Sequence, residues 1–225
     1  MTNVKISDRL KALASFVDKD SNIIDIGCDH ALLDIYLIKN NIVKNCIATD
    51  IRNSALKMAN NNIIKYNIKS IDIRCGNGLD VLNKDDKIDT IIMSGLGSNT
   101  ITNILTKNIG KLSNINTIII QSNNHIYDIR KDVVKLGFYI CDEKLVIDKK
   151  IIYTVIKFKK GNKKYSKREY YFGPIILNNK DDLFYKKIKF EINKNKEIIK
   201  NLGLKKILLK IKIKLKNKII KKEIH

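Results

Sequence analysis

The segment Asp25-Ile26-Gly27-Cys28-Asp29-His30-Ala31 places two carboxylates, a glycine and a histidine where a single ligand can meet them all. The apolar residues Ile23 and Ile24 precede it, so it reads as a buried strand ending in a tight turn. A carboxylate at a strand tip followed by glycine lets backbone approach a ligand closely, and the next helix begins beneath that ligand. The dinucleotide pattern G-x-G-x-x-G is absent: Gly27 is present, but Asp29 occupies the second glycine position. A pyrophosphate would there meet a carboxylate in place of bare amides. The pattern therefore favours a cofactor that carries positive charge. S-adenosylmethionine, with its sulfonium and ammonium groups, fits that description.

Other chemistry-bearing residues fall at the ends of further apolar runs. Asp50 closes the run Cys46-Ile47-Ala48-Thr49 and lies 23 residues after Gly27, where an acidic side chain commonly bonds two ribose hydroxyls. Its other reading is a helix-start residue near Ser54. Asn77, between Gly76 and Gly78, offers a side-chain oxygen to an adenine amino group or serves a local turn. Arg9 suits a carboxylate or phosphate, or is surface charge. Gly95 and Gly97 form a second glycine loop, and Asn123 follows Gln121-Ser122. His30 is a candidate general base, though a histidine opening a helix is more often structural. His30, His125 and His225 lack metal-ligand spacing, so no metal is expected.

These residues require a scaffold that brings strand ends together. Strands are expected at 23–27, 46–50, 71–75, 88–93 and 117–120, with helices over 5–17, 30–40, 53–66 and 127–136. Asn53 or Ser54 is expected to cap the third of these helices. Residues 138–147 and 151–158 read as a hairpin around Asp148-Lys149-Lys150. Alternating strands and helices predict an α/β fold, in which ligands bind at the carboxyl ends of parallel strands. Beyond Gly173-Pro174, apolar residues recur at spacings of three, four or seven over 180–202 and 204–222. That pattern predicts two helices hinged near Gly203. The Ile/Lys alternation from Lys210 to Leu215 also suits a strand.

Charge is segregated along the chain. Of the formal net charge of +21, residues 157–225 carry +17. Such a segment is the footprint of a phosphate-backbone partner, with an anionic membrane surface or a solvated helical face as alternatives. Tyr165, Tyr170, Tyr171 and Phe172 interleave with Lys163, Lys164, Lys167 and Arg168, a mixture that stacks bases or forms the seam where the tail docks. The four cysteines show no C-x-x-C pair and are expected as buried thiols. No apolar stretch long enough for a bilayer and no signal pattern are found, so a cytoplasmic protein is expected.

Ile6-Ser7-Asp8-Arg9-Leu10, Asp25-Ile26-Gly27-Cys28-Asp29-His30-Ala31, Gly76-Asn77-Gly78-Leu79, Gly95-Leu96-Gly97, Gln121-Ser122-Asn123 and Gly173-Pro174 together resemble the bacterial tRNA (adenine-N1)-methyltransferase family TrmK. The resemblance runs along nearly the whole chain. It implies a Rossmann-like class I methyltransferase domain with a mostly parallel seven-stranded sheet at 1–160, and a basic, coiled-coil-like helical hairpin at 161–225. It also implies S-adenosyl-L-methionine as cofactor, tRNA as partner and methylation of N1 of the adenosine at position 22 in the D-arm. On this basis Arg9, Asp25, Gly27, Asp50 and Asn77 are expected to hold the cofactor. Asp29, Gly95, Gly97 and Asn123 are expected to shape the base site, no membrane partner is expected, and a monomer is favoured. Family sequences usually read D-H-A-Y-L-P, G-M-G-G and Q-P-N, whereas this chain has Leu32, Asp34, Ser98 and Ser122 at those places, and Asn77 replaces the usual aspartate. A methyltransferase for another RNA, or a non-catalytic RNA-binding protein with a decayed cofactor fold, are the competing readings.

Overall fold

The computed structural model describes residues 4–202 and 207–223. The chain divides into two compact units, Met1–Leu177 and Asn178–His225. The division falls later than the sequence-based boundary at 160/161.

The first unit is built on one seven-stranded sheet: β1 (Ser21–Ile26), β2 (Val43–Asp50), β3 (Ile71–Cys75), β4 (Thr90–Leu96), β5 (Thr117–Ser122), β6 (Phe138–Asp148) and β7 (Ile151–Lys160). Its spatial order is β3-β2-β1-β4-β5-β7-β6, and β7 inserts antiparallel between β5 and β6. The other pairings of β1 to β5 are parallel. Central strands such as β5 are buried along their whole length, as expected for a sheet covered on both faces.

Alternation along each strand assigns residues to faces. Ile24, Ile26, Ile91, Met93, Ile118 and Ile120 pack in one cluster with Ile101 and Leu105 of α4 (Ser98–Lys107) and Ile129 and Val133 of α5 (Ile126–Lys135). Ile23, Ile92 and Ile119 face the opposite layer, with Leu13 of α1 (Asp8–Ala14) and Leu33 and Leu37 of α2 (Leu32–Lys39). α3 (Asn53–Lys65) completes that layer through Leu56, Ala59 and Ile63. Each fully buried Ile or Leu stabilises the fold by about 1.5–3 kcal/mol before entropy is counted. The sequence pattern did not mark α4. α1 is shorter than expected, starting at a Ser7 cap. α3 is preceded by Arg52, so Asn53 and Ser54 lie inside the helix and do not cap it.

Beyond the sheet, α6 (Lys167–Phe172) and α7 (Pro174–Asn179) follow. α6 opens with a capping box between Ser166 and Glu169. The helix is held by a buried cation, Arg130 of α5. Its Nε donates to Glu143 Oε1 at 2.6 Å, Nη1 donates to the carbonyls of Tyr170 and Tyr171 at 3.0 and 2.9 Å, and Nη2 donates to that of Phe172 at 3.4 Å. Glu143 Oε2 also accepts from the Ile175 amide at 3.2 Å. Burial raises the Glu143 pKa and lowers that of Arg130, while each partner's charge opposes the change in the other. Gly173 sits at φ +94°, and a Cβ there would strike the Glu143 carboxylate.

This arrangement decides the role of the aromatic cluster. Tyr165 Oη accepts from the Ile140 amide at 2.9 Å and donates to the Ile140 carbonyl at 3.2 Å, and Tyr127 of α5 makes ring contacts with Tyr170 and Tyr171. Phe172 is buried. These rings form a docking seam. Cys28 and Cys46 are buried as expected, but Cys75 is exposed and Cys141 half-buried; all four are free thiols.

The second unit contains α8 (Asp182–Asn201) and α9 (Ile207–Lys221). Asp181 caps α8. Asn195 Nδ2 donates to Asn217 Oδ1 at 2.8 Å, a buried bond between the helices, flanked by the Glu191–Lys216 ion pair at 2.7 Å. The alternating Ile/Lys segment is thus helical. The expected hinge at Gly203 lies outside the described residues. No described helix is long and apolar enough to cross a membrane.

Replacing Arg130 with Met leaves Glu143 buried without its cation and is expected to cost about 3–5 kcal/mol. The measurement is the urea midpoint of unfolding, and the Arg130→Met/Glu143→Leu double variant is expected to recover part of the loss because no charge is stranded.

Candidate active-site cleft

The carboxyl ends of β1, β2 and β4 and the loop after β3 surround a cleft of about 530 Å³. Arg9, Asp25, Gly27, Asp29, Asp50, Asn77 and Gly95, all singled out in the sequence, line it together. Gly97 and Asn123 do not line it. Residues that the sequence did not single out also line the cleft: Thr49, Arg52, Ser94, Leu96 and Thr100.

Asp25 forms the floor. It pairs in register with Ala48 of β2 and Ile92 of β4, is 4% exposed, and its Oδ1 has no hydrogen-bond donor. Burial, then the neighbouring charge of Asp34, raises its pKa well above the ordinary value, and Arg9 partly opposes this. Thr49 Oγ1 is a second buried polar atom without a partner. Gly27 adopts φ +80°, a conformation that favours glycine, and an added Cβ would press on the Leu96 side chain at 3.2 Å. The amides of Gly27 and Cys28 donate to the Thr49 carbonyl at 2.8 and 3.0 Å. They are therefore not free to cradle a phosphate.

Asp50 ends β2. Its Oδ1 accepts from the Arg52 amide at 2.9 Å and from Arg52 Nε at 3.2 Å, and its Oδ2 accepts from Arg52 Nη2 at 3.2 Å. Burial opposes its ionisation, but the Arg52 bonds and charge outweigh burial and lower its pKa. The Arg52 guanidinium also donates to Asp29 Oδ1 at 3.3 Å. Asp29 itself sits at φ 51°, a left-handed conformation rare for a residue with a side chain, and its carboxylate is 56% exposed. His30 Nε2 lies 3.4 Å from Asp29 Oδ2, so the histidine has a partner that the sequence did not identify. Asn77 is exposed and its side chain caps no helix.

The far wall is organised by Gln121, which is fully buried. Its Oε1 accepts from Arg9 Nη1 at 2.6 Å, Ser94 Oγ at 3.2 Å and the Gly95 amide at 3.1 Å, while Nε2 donates to Asn123 Oδ1 at 3.2 Å. Asn123 Nδ2 then donates to the Gly95 carbonyl at 2.6 Å. Arg9 is thus drawn into the cleft and is no mere surface charge; it also lies over the Tyr153 ring, 5.6 Å from its centroid. Gly97 precedes α4, whose first amide, Ser98, donates to Asn124 Oδ1 at 2.9 Å. Ser98 is buried and does not line the cleft. A polar residue ending the run Ile118-Ile119-Ile120 was the available signal for Gln121; nothing in the pattern marked Arg52. No group of His, Cys, Asp or Glu among the described residues is placed to hold a metal.

Known proteins are similar to this chain in sequence and architecture. A tRNA (adenine(22)-N(1))-methyltransferase of Bacillus subtilis is 27% identical over 210 residues, covering 90% of this chain and 88% of its own length. The Streptococcus pneumoniae protein Sp1610, solved in complex with S-adenosyl-L-methionine, superposes with a TM-score of 0.91 at 28% identity, covering 98% of this chain and 100% of that one. TrmK of M. capricolum, solved with S-adenosyl-homocysteine, superposes with a TM-score of 0.86 at 29% identity over 96% of both chains. The family profile described as TrmK, tRNA (adenine(22)-N(1))-methyltransferase, matches residues 23–225. With a glycine turn, strand-tip carboxylates and inserted antiparallel strand that agree with that match, the chain belongs to the TrmK family.

Proposed function

We propose that this protein methylates N1 of the adenosine at position 22 of tRNA, using S-adenosyl-L-methionine, in the cytoplasm. The observation that carries the reading is the acidic cleft floor, where Asp25 is buried with an orphaned oxygen while the nearby amides are already satisfied. Such a floor suits a cation and repels a pyrophosphate. When bound, the cofactor supplies an electrophilic methyl group.

Asp25 receives the cofactor's ammonium and Asp50 its ribose hydroxyls, with Arg52 yielding part of its hold on Asp50. Asn77 contacts the adenine edge of the cofactor. Arg9, fixed by Gln121, supplies a cation for the cofactor's carboxylate. The target N1 carries a free lone pair at neutral pH, so no side chain has to remove a proton before attack. Positioning therefore dominates. Asn123, held by Gln121, fixes the Gly95 carbonyl at the rim where the target base enters, and Gly97 leaves space beside it. Because pairing occupies N1, the nucleotide must leave the stack before it reaches this rim. Asp29, exposed and preset by its left-handed backbone, offsets the positive charge that develops on the adenine. The coiled-coil-like α8–α9 hairpin, rich in lysine, supplies phosphate contacts.

Incubation of the protein with labelled cofactor and unmodified tRNA, followed by mapping of reverse-transcription stops, is expected to place the methyl group at the D-arm adenosine; modification elsewhere overturns the reading. Asp29→Ala is expected to keep cofactor affinity while turnover falls about 10²-fold, the scale of one missing electrostatic interaction. Asp50→Asn is expected to weaken cofactor binding by roughly tenfold or more, read by calorimetry, because a charge-assisted bond contributes about 1.5–3 kcal/mol. Replacing Lys196, Lys214, Lys218 and Lys221 with Gln is expected to weaken tRNA binding and to flatten its salt dependence, the log–log slope falling by roughly 0.7–0.9 for each phosphate no longer neutralised.

A further inference from the structure

Resting on the assignment of Asp25 to the cofactor's ammonium, we propose that Asp34 is a positioning residue, sharing one proton with Asp25 beneath the cleft and giving it up when the cationic ligand binds. The alternation of β1 turns Asp25 toward the layer containing α2, on the same face as Ile23. Asp34 lies in the first turn of α2 and is fully buried. Its Oδ1 accepts from Cys46 Sγ at 3.1 Å, which fixes the carboxyl against β2. Asp34 Oδ2 and Asp25 Oδ1 both lack any donor when the two groups are ionised.

Two carboxylates are acceptors only and cannot bond to each other, but with one proton between them they can. Each of the two buried carboxyls acts on the ionisation of the other. A shared proton satisfies both orphaned atoms at once and removes one of two like charges from a buried site. Burial pushes Asp34 up to about 6 and Asp25 well above its ordinary value. The charged groups acting on the pair are Arg9 from α1 and Asp50 from β2, with the thiols of Cys46 and Cys28 beside it. Burial and these carboxylates hold both thiols protonated, so neither competes for the negative charge. β4 contributes Ile92 alongside Asp25.

The sign of the pH effect follows. The free pair keeps its proton; a bound ammonium stabilises the doubly ionised pair, so binding expels the proton and affinity rises with pH. Calorimetry of the full chain with S-adenosylmethionine, between about pH 5.5 and about 7.5 and below the range of the ligand's own α-amino group, provides the test. Affinity is expected to rise toward tenfold per pH unit over the acidic part of that range. Repetition in buffers of different ionisation enthalpy is expected to show up to one proton released per ligand. 5′-Methylthioadenosine, which lacks the ammonium, is expected to bind with no pH dependence. Asp34→Asn removes the competing carboxyl and offers Asp25 an amide donor, so the rise is expected to move to lower pH and proton release near neutrality to fall. A purely structural role would weaken binding equally at every pH. A flat profile in the wild-type chain, or one unchanged by Asp34→Asn, overturns the proposal and leaves the methyltransferase reading intact. Binding of neither ligand overturns both.

Discussion

One buried amide holds the cleft's far wall in place. Gln121 is the next-to-last residue of β5, after a threonine and three isoleucines, and its oxygen collects donors from α1, from the β4 side chain Ser94 and from the Gly95 backbone. A buried acceptor without these donors would cost about 1–3 kcal/mol, so the network is strongly favoured as a whole. Its consequence is that Arg9, carried on the first helix of the chain, is fixed to strands more than eighty residues later. The long side chain that reads as generic surface charge in the sequence becomes a rigid part of the site.

Much of the scaffold was legible because its signals are local. Apolar runs such as Ile23-Ile24 and Ile118-Ile119-Ile120 can be buried on both faces only in a central parallel strand, and the glycine-containing turns mark where those strands stop. The hairpin of β6 and β7 announced itself in the same way. The contacts within the site were less legible because they join residues distant in sequence. Nothing local distinguishes Arg52, which spans Asp50 and Asp29, from any other exposed arginine. The tyrosines of 165–171 could stack on bases or on each other with the same residue types, and only the bonds to Ile140 and the carbonyls held by Arg130 separate the two. Asp34 did leave a trace. α2 carries apolar residues on every side, and a helix of that kind is buried, so its one acidic residue had to be inside as well.

The acidic floor and the Arg130–Glu143 pair show two ways of keeping charge inside a fold. Arg130 and Glu143 neutralise each other and spend their remaining hydrogen-bonding capacity on the backbone of 170–175, so that site is closed and structural. Asp25 has no such partner cation in hydrogen-bonding contact, and it lines an open cleft. The first arrangement is closed and self-neutralising; the second opens onto the cleft.

The buried Asn195–Asn217 bond has an effect beyond joining two helices. An amide pair in an otherwise apolar seam stabilises less than leucines would, but it is satisfied in only one alignment. Sliding α8 along α9 by one turn, about 5.4 Å, would strand both amides. Lysines on the two helices are therefore held at fixed spacings, a ruled scale instead of a diffuse cloud of charge.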